Sequence, residues 1–172
     1  MSEPLAYLLT WTCYGTWLHG NERGSVTRDD NAYGSPFVDA QPRWARMEAA
    51  RLSDRPVMLD DAARRVVREA ILDHCRHRGW SLLAVNIRTN HAHVVVAYDP
   101  GWSADRLLAS LKARATRCLR ENRYFGPRQR IWTQHGSTRY LWKSTHVHAA
   151  IDYVLNGQGA DVRFAAFDEK SH

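Results

Sequence analysis

At 172 residues and 19.8 kDa the chain has the length of one domain, since about 100 to 200 residues already bury a core of their own. Hydrophobic residues make up 44% and charged residues 24%, with a mean hydropathy of -0.52, which excludes disordered, collagen-like and coiled-coil classes. No apolar run approaches the roughly 20 residues of a spanning helix, and the opening MSEPLAYLLTW carries Glu3 and no basic leader, so a cytoplasmic protein is expected.

Charge is more informative. Lysine and arginine number 24 against 18 acidic residues, a formal +6, and the excess is mostly arginine, whose planar guanidinium suits phosphate partners. Seven tryptophans fill core or stack on bases. Cys13, Cys75 and Cys118 are odd in number and far apart, so neither a disulfide framework nor a Cys-x-x-Cys motif is present.

In chain order, Ala6 to Cys13 reads as a buried strand. Residues 20–56 turn to Gly, Asn, Asp, Arg, Ser and Pro without a period, which reads as a long loop or insertion. Leu59, Ala63, Val66, Val67, Ala70 and Ile71 recur at helical spacing, with Asp60 or Asp61 as cap and Gly79 as stop. Two adjacent strands follow, Trp80 to Ile87 and His91 to Tyr98. Leu107, Leu108, Leu111, Ala115, Cys118 and Leu119 stripe a second helix, capped by Ser103, arginine-rich elsewhere and stopped by Gly126 and Pro127. A strand or hairpin within Ile131 to Trp142 precedes a last helix, capped by Ser144 or Thr145 and closed by Gly157 and Gly159. The order predicts an α+β protein: a ferredoxin-like antiparallel sheet with helices on one face.

Within NHAHVVV, His91 and His93 lie two apart on a strand, so both side chains leave one face, about 6 to 7 Å apart at Cα. Two imidazoles so placed would share a metal ion, and in a run this apolar they interrupt a buried surface at a cost unless used. His146 and His148 open a helix instead, where the same spacing turns side chains about 200° apart. They read as capping or surface residues. In the last helix Val147, Ile151, Val154 and Leu155 mark the predicted buried stripe, and Tyr153, two residues from Ile151, points off it. Packing on a neighbouring helix would account for that tyrosine; so would a phenol kept available as a nucleophile.

These residues together resemble the single-tyrosine transposases of the HUH nuclease superfamily, the insertion-sequence and REP-associated enzymes. The resemblance rests on an ordered set: His91-Ala92-His93, the basic helix LLASLKARATRCLREN, the tryptophan-containing segment IWTQHGSTRYLW, and the helix AAIDYVLNGQG with Tyr153. It implies a metal-dependent endonuclease and strand transferase acting on single-stranded or hairpin DNA, with Tyr153 as nucleophile and a 5′-phosphotyrosine intermediate. His91 and His93 would hold Mg²⁺ or Mn²⁺, the latter better suited to imidazole. Lys112, Arg114, Arg117 and Arg120 would follow the DNA backbone.

The family places Asn or Gln one turn after the tyrosine as a third ligand, where this chain has Gly157 between Asn156 and Gln158. An ideal helix puts Asn156 about 60° from Tyr153 and Gln158 about 140° away. A helix ending at Gly157 frees Gln158 to fold back, and Gln158 is favoured narrowly over Asn156. Insertion-sequence relatives imply a homodimer, REP-associated relatives a monomer. Two rivals stand beside this reading. A non-catalytic nucleic-acid-binding module, or a domesticated transposase, explains the charge but not the three site residues together. A histidine phosphoesterase would need His-x-Thr or His-x-Ser, which neither histidine pair supplies.

Overall fold

The structure is a computed structural model and describes residues 2–16, 55–157 and 163–164. The expected insertion at 20–56, apart from its last two residues, and Gln158 lie outside the described residues. The elements run β1 (Ala6–Thr12), α1 (Asp61–Arg78), β2 (Leu82–Ile87), β3 (His91–Ala97), α2 (Ala104–Glu121), β4 (Ser137–Leu141), α3 (Ser144–Asn156) and the two-residue β5 (Arg163–Phe164).

The helix ends follow local chemistry. Asp60 caps α1 by accepting from the Ala63 amide at 2.8 Å, and Gly79 closes it in the left-handed conformation at φ 71°. Ser103 caps α2 through the Arg106 amide at 3.3 Å. This helix stops before Gly126: Asn122 turns its amide onto the Cys118 carbonyl at 2.8 Å and Arg123 takes a positive φ of 61°. Lys143, not Ser144 or Thr145, occupies the cap position of α3, and makes no side-chain cap bond.

The strands form one antiparallel sheet in the order β4-β1-β3-β2-β5. Its first four positions are the arrangement a ferredoxin-like split βαβ unit produces. Alternation along β1 divides the protein in two. Tyr7, Leu9 and Trp11 face α1 and α2 and join a large core with Val67, Ile71, Leu107 and Leu111. Ala6 and Leu8 face the other way, into a smaller cluster with Ala84, Val95, Leu141, Ala150 and Val154. The expectation of helices on one face therefore holds for α1 and α2, while α3 packs on the opposite face. α3 leads from β4 to β5, parallel strands at opposite edges of the sheet, and a right-handed crossover in that direction carries its helix on the face opposite α1 and α2.

Candidate active site on the α3 face of the sheet

Odd-numbered positions of β3 turn toward α3, and this puts His91 and His93 on the same side as Val95. Both are nearly buried, at 7% and 5% exposure, and their ring centroids are 4.8 Å apart. Each ring is held at Nδ1. His91 Nδ1 lies 2.6 Å from Asn90 Oδ1, an acceptor only, so this nitrogen carries the proton and the lone pair is on Nε2. His93 Nδ1 lies 2.8 Å from the hydroxyl of Thr10, its partner in the β1–β3 register. A histidine whose Nδ1 is oriented by a neighbour is the arrangement metal-binding imidazoles adopt.

Tyr153 stands over this pair. Its ring centroid is 5.5 Å from that of His93, edge to face, and 41% of the residue is exposed. The buried stripe of α3 is Ala150 and Val154, with Val147, Ile151 and Leu155 partly covered. An ideal helix then sets Tyr153 only about 80° from the middle of the stripe, at its border. That border position brings the phenol to the histidines while leaving it open to solvent. All three rings belong to one chain.

The other anticipated residues fall elsewhere. Asn156 donates its amide to Asp152 at 2.7 Å, one turn back along the exposed side of α3. Among the described residues no three of His, Cys, Asp and Glu gather around a common point. Two imidazoles so placed are donors suited to two positions of a divalent ion's shell. Arg114, Arg117 and Arg120 ride on α2, across the sheet from His91 and His93. Burial first, and then Arg78, Arg114, His77 and Arg117, push the His74 imidazole below its usual value, and the arginines mark a positive surface between α1 and α2. Lys112 is drawn inward. Its ammonium donates to the carbonyls of Thr133, Gln134 and His135 at 2.6, 3.4 and 3.4 Å, and burial lowers its pKa to about 8. It fastens the segment leading into β4. His146 and His148 sit in the first turns of α3.

Three residues of this neighbourhood were not singled out from sequence. Asn90 and Thr10 orient the two imidazoles, and Asn86, fully buried on β2 opposite His93, donates its amide to the Val154 carbonyl of α3 at 2.9 Å. A signal existed for Asn86, as the lone polar residue in the strand LLAVNI. Thr10 had none, because only the β1–β3 register reveals its partner.

Two solved structures share features of this chain: a REP-associated tyrosine transposase bound to a REP hairpin, at 11% identity and TM-score 0.48 over 88% of this chain, and a candidate transposase of Deinococcus radiodurans R1, at 16% identity and TM-score 0.47 over 93% of this chain. The match spans 65% of the first structure's chain and 95% of the second's. No curated protein matches this sequence. A family model described as "Transposase IS200 like" matches residues 50–156, more than half of the chain and all of the segment that holds His91, His93 and Tyr153, and the chain belongs to that family.

Proposed function

We propose that this chain is a metal-dependent endonuclease and strand transferase for single-stranded or hairpin DNA, with Tyr153 as the nucleophile. The observation that carries the reading is the exposed Tyr153 phenol standing 5.5 Å from His93 in a member of the transposase family. The phenol oxygen, having given up its proton, attacks the phosphorus of a phosphodiester. The bond from phosphorus to the 3′ oxygen breaks, and that oxygen takes a proton to become a free 3′-hydroxyl. A 5′-phosphotyrosine remains, and the reverse attack by another 3′-hydroxyl rejoins the strand. One phosphodiester replaces another, so the reaction needs no outside energy and no water.

His91 and His93, with Gln158 as an amide oxygen donor, would hold Mg²⁺ or Mn²⁺. Such an ion neutralises charge that builds on the phosphate oxygens. Asn90 and Thr10 keep the imidazoles in place, and Asn156 is left to its bond with Asp152. Arg114, Arg117 and Arg120 bind DNA backbone flanking the cleaved strand, from the other side of the sheet, and Lys112 serves the fold. That assignment predicts affinity falling steeply with salt.

The test is incubation with labelled single-stranded DNA and Mn²⁺, followed by denaturing electrophoresis. Wild-type protein yields a protein–DNA adduct, and Tyr153→Phe, which removes only a hydroxyl, yields none while keeping its DNA affinity. An adduct that persists in the variant moves the role to Tyr140 or Tyr124, both exposed. DNA binding with no adduct from either protein would make the chain a binding module.

A further inference from the structure

We infer that Asn86 is the residue that positions the nucleophile: its amide fixes where α3 seats on the sheet, and so holds Tyr153 over His93. The inference deepens the reading above and depends on it only for the activity part of its test. Asn86 has no exposed surface, and it is the direct cross-strand neighbour of His93 in the β2–β3 register. Its Nδ2 lies 2.9 Å from the Val154 carbonyl, and a carbonyl accepts only, so the amide orientation is fixed without reference to any other group. The Oδ1 is buried and has no hydrogen-bond partner among the described residues.

That pattern is costly as core packing. An unpaired buried oxygen bears the cost of its lost hydration, and leucine at this site would fill the space with no such penalty. The bond gained is directed at the helix that carries the tyrosine. Val154 is the third residue from the end of α3, within the last turn whose carbonyls an α-helix leaves without a standard partner. Asn86 therefore caps α3 sideways, from the sheet.

The helix needs such a fix because its apolar seat is smooth. The sheet side of the cluster beneath it is Ala6, Leu8, Ala84, Val95 and Leu141, met by Ala150 and Val154 of the helix itself, all aliphatic and several of them small. Such a surface holds a helix without choosing its position along the axis. A slip of one turn moves a side chain about 5.4 Å, as far as the whole separation of the Tyr153 and His93 rings. One hydrogen bond to one carbonyl removes that freedom.

The experiment compares wild type with Asn86→Leu by NMR on the free protein, and then by adduct formation. Wild type shows a cross-relaxation contact between the His93 and Tyr153 rings, and one Asn86 side-chain amide proton that exchanges slowly. Asn86→Leu is expected to melt at the wild-type temperature or above it, keep the contact between His91 and His93, and lose the contact between His93 and Tyr153. Its adduct forms at least tenfold more slowly at unchanged DNA affinity. A residue that merely stabilised the fold would lose activity only as stability fell. A leucine variant that retains the His93 to Tyr153 contact overturns the inference. Should that variant fail to fold, fast exchange of both Asn86 amide protons in the wild-type protein overturns it equally. If wild type forms no adduct at all, the catalytic reading fails, while the ring contact still decides the role of Asn86.

Discussion

Replacing Thr10 by valine separates the orientation of a histidine from the stability of the sheet. Valine matches threonine in shape and in its preference for strands, so β1 keeps its conformation and its pairing with β3. What disappears is the hydroxyl that lies 2.8 Å from His93 Nδ1, on a ring only 5% exposed. A part-buried hydrogen bond of this kind is worth about 1 kcal/mol, and the urea midpoint should fall accordingly. The larger effect is on the ring. Without the hydroxyl the imidazole loses one of the contacts that set its angle about the bond to Cβ, and groups that orient a metal-bound histidine typically contribute about 10 to 100-fold in metal affinity. Titration with Mn²⁺, followed by calorimetry, should show a loss in that range. Thr12→Val is the control, since its hydroxyl meets the Thr133 hydroxyl at 3.1 Å and its place in the β1–β3 register is opposite His91, not His93. It should cost similar stability and leave Mn²⁺ affinity alone. Equal Mn²⁺ affinity in Thr10→Val and wild type, alongside the expected stability loss, would refute the claim that Thr10 aims His93 at a metal.

His91→Ala, His93→Ala or a chelator should each abolish DNA cleavage and leave most DNA binding, because the basic surface and not the ion supplies affinity; full cleavage in a chelator with no divalent metal would end the metal role. Gln158→Ala should weaken Mn²⁺ binding while Asn156→Ala does not, since the Asn156 amide is already held by Asp152 at 2.7 Å; the opposite result transfers the role to Asn156. Burial pushes the Cys13 and Cys75 thiols up to about 12, so a disulfide reagent at pH 8 should label half-buried Cys118 alone until the protein is unfolded. The same raised values set a sign: the unfolded chain releases these protons near pH 9 and the folded one near 12, so stability should fall with rising pH across that window. A urea midpoint unchanged from pH 8 to 11 would contradict it.

Much of this was legible because local chemistry and tertiary need agree. Asp60, Gly79 and Ser103 end helices where their side chains or backbone freedom predict, and the valine-rich run after His91 is the strand it reads as. The His91 and His93 pair was legible for a stronger reason, as a period of two fixes a common face whatever the neighbours are. Failures came where the outcome depended on what packs against an element. Periodicity located an apolar stripe on α3, but its centre lies at Ala150 and Val154, and these small residues carry little weight in a pattern read by hydrophobicity. The sheet face that α3 would choose had no local signal. Nor did Lys112, whose charge suggested a phosphate partner and whose neighbours turned out to be three carbonyls brought in from residues 133 to 135.

The two faces of the sheet divide the work in a way that bears on how this protein tolerates change. The face under α1 and α2 carries the large core, with Trp11, Leu9, Ile71, Leu107 and Leu111 all but inaccessible, and losing one of these leucines costs about 2 to 5 kcal/mol. The face under α3 carries a few small aliphatics together with Thr10, Asn86, His91 and His93, so it contributes less to stability and contains the polar groups that set geometry. On the proposed mechanism its weak grip still has to locate Tyr153 to within an ångström or so, because transfer to phosphorus requires an aligned attack. Substitutions on the α3 face should therefore reduce cleavage before they reduce melting temperature, and those on the other face should do the reverse. The close approach at Gly136 joins the two. A Cβ there would stand 2.6 Å from the Thr10 carbonyl and 2.8 Å from the Leu108 side chain, so even alanine forces the backbone of β1 to move beneath the hydroxyl that holds His93. At this one position packing on the large-core side and ring placement on the other cannot be changed separately, because Thr10 belongs to both.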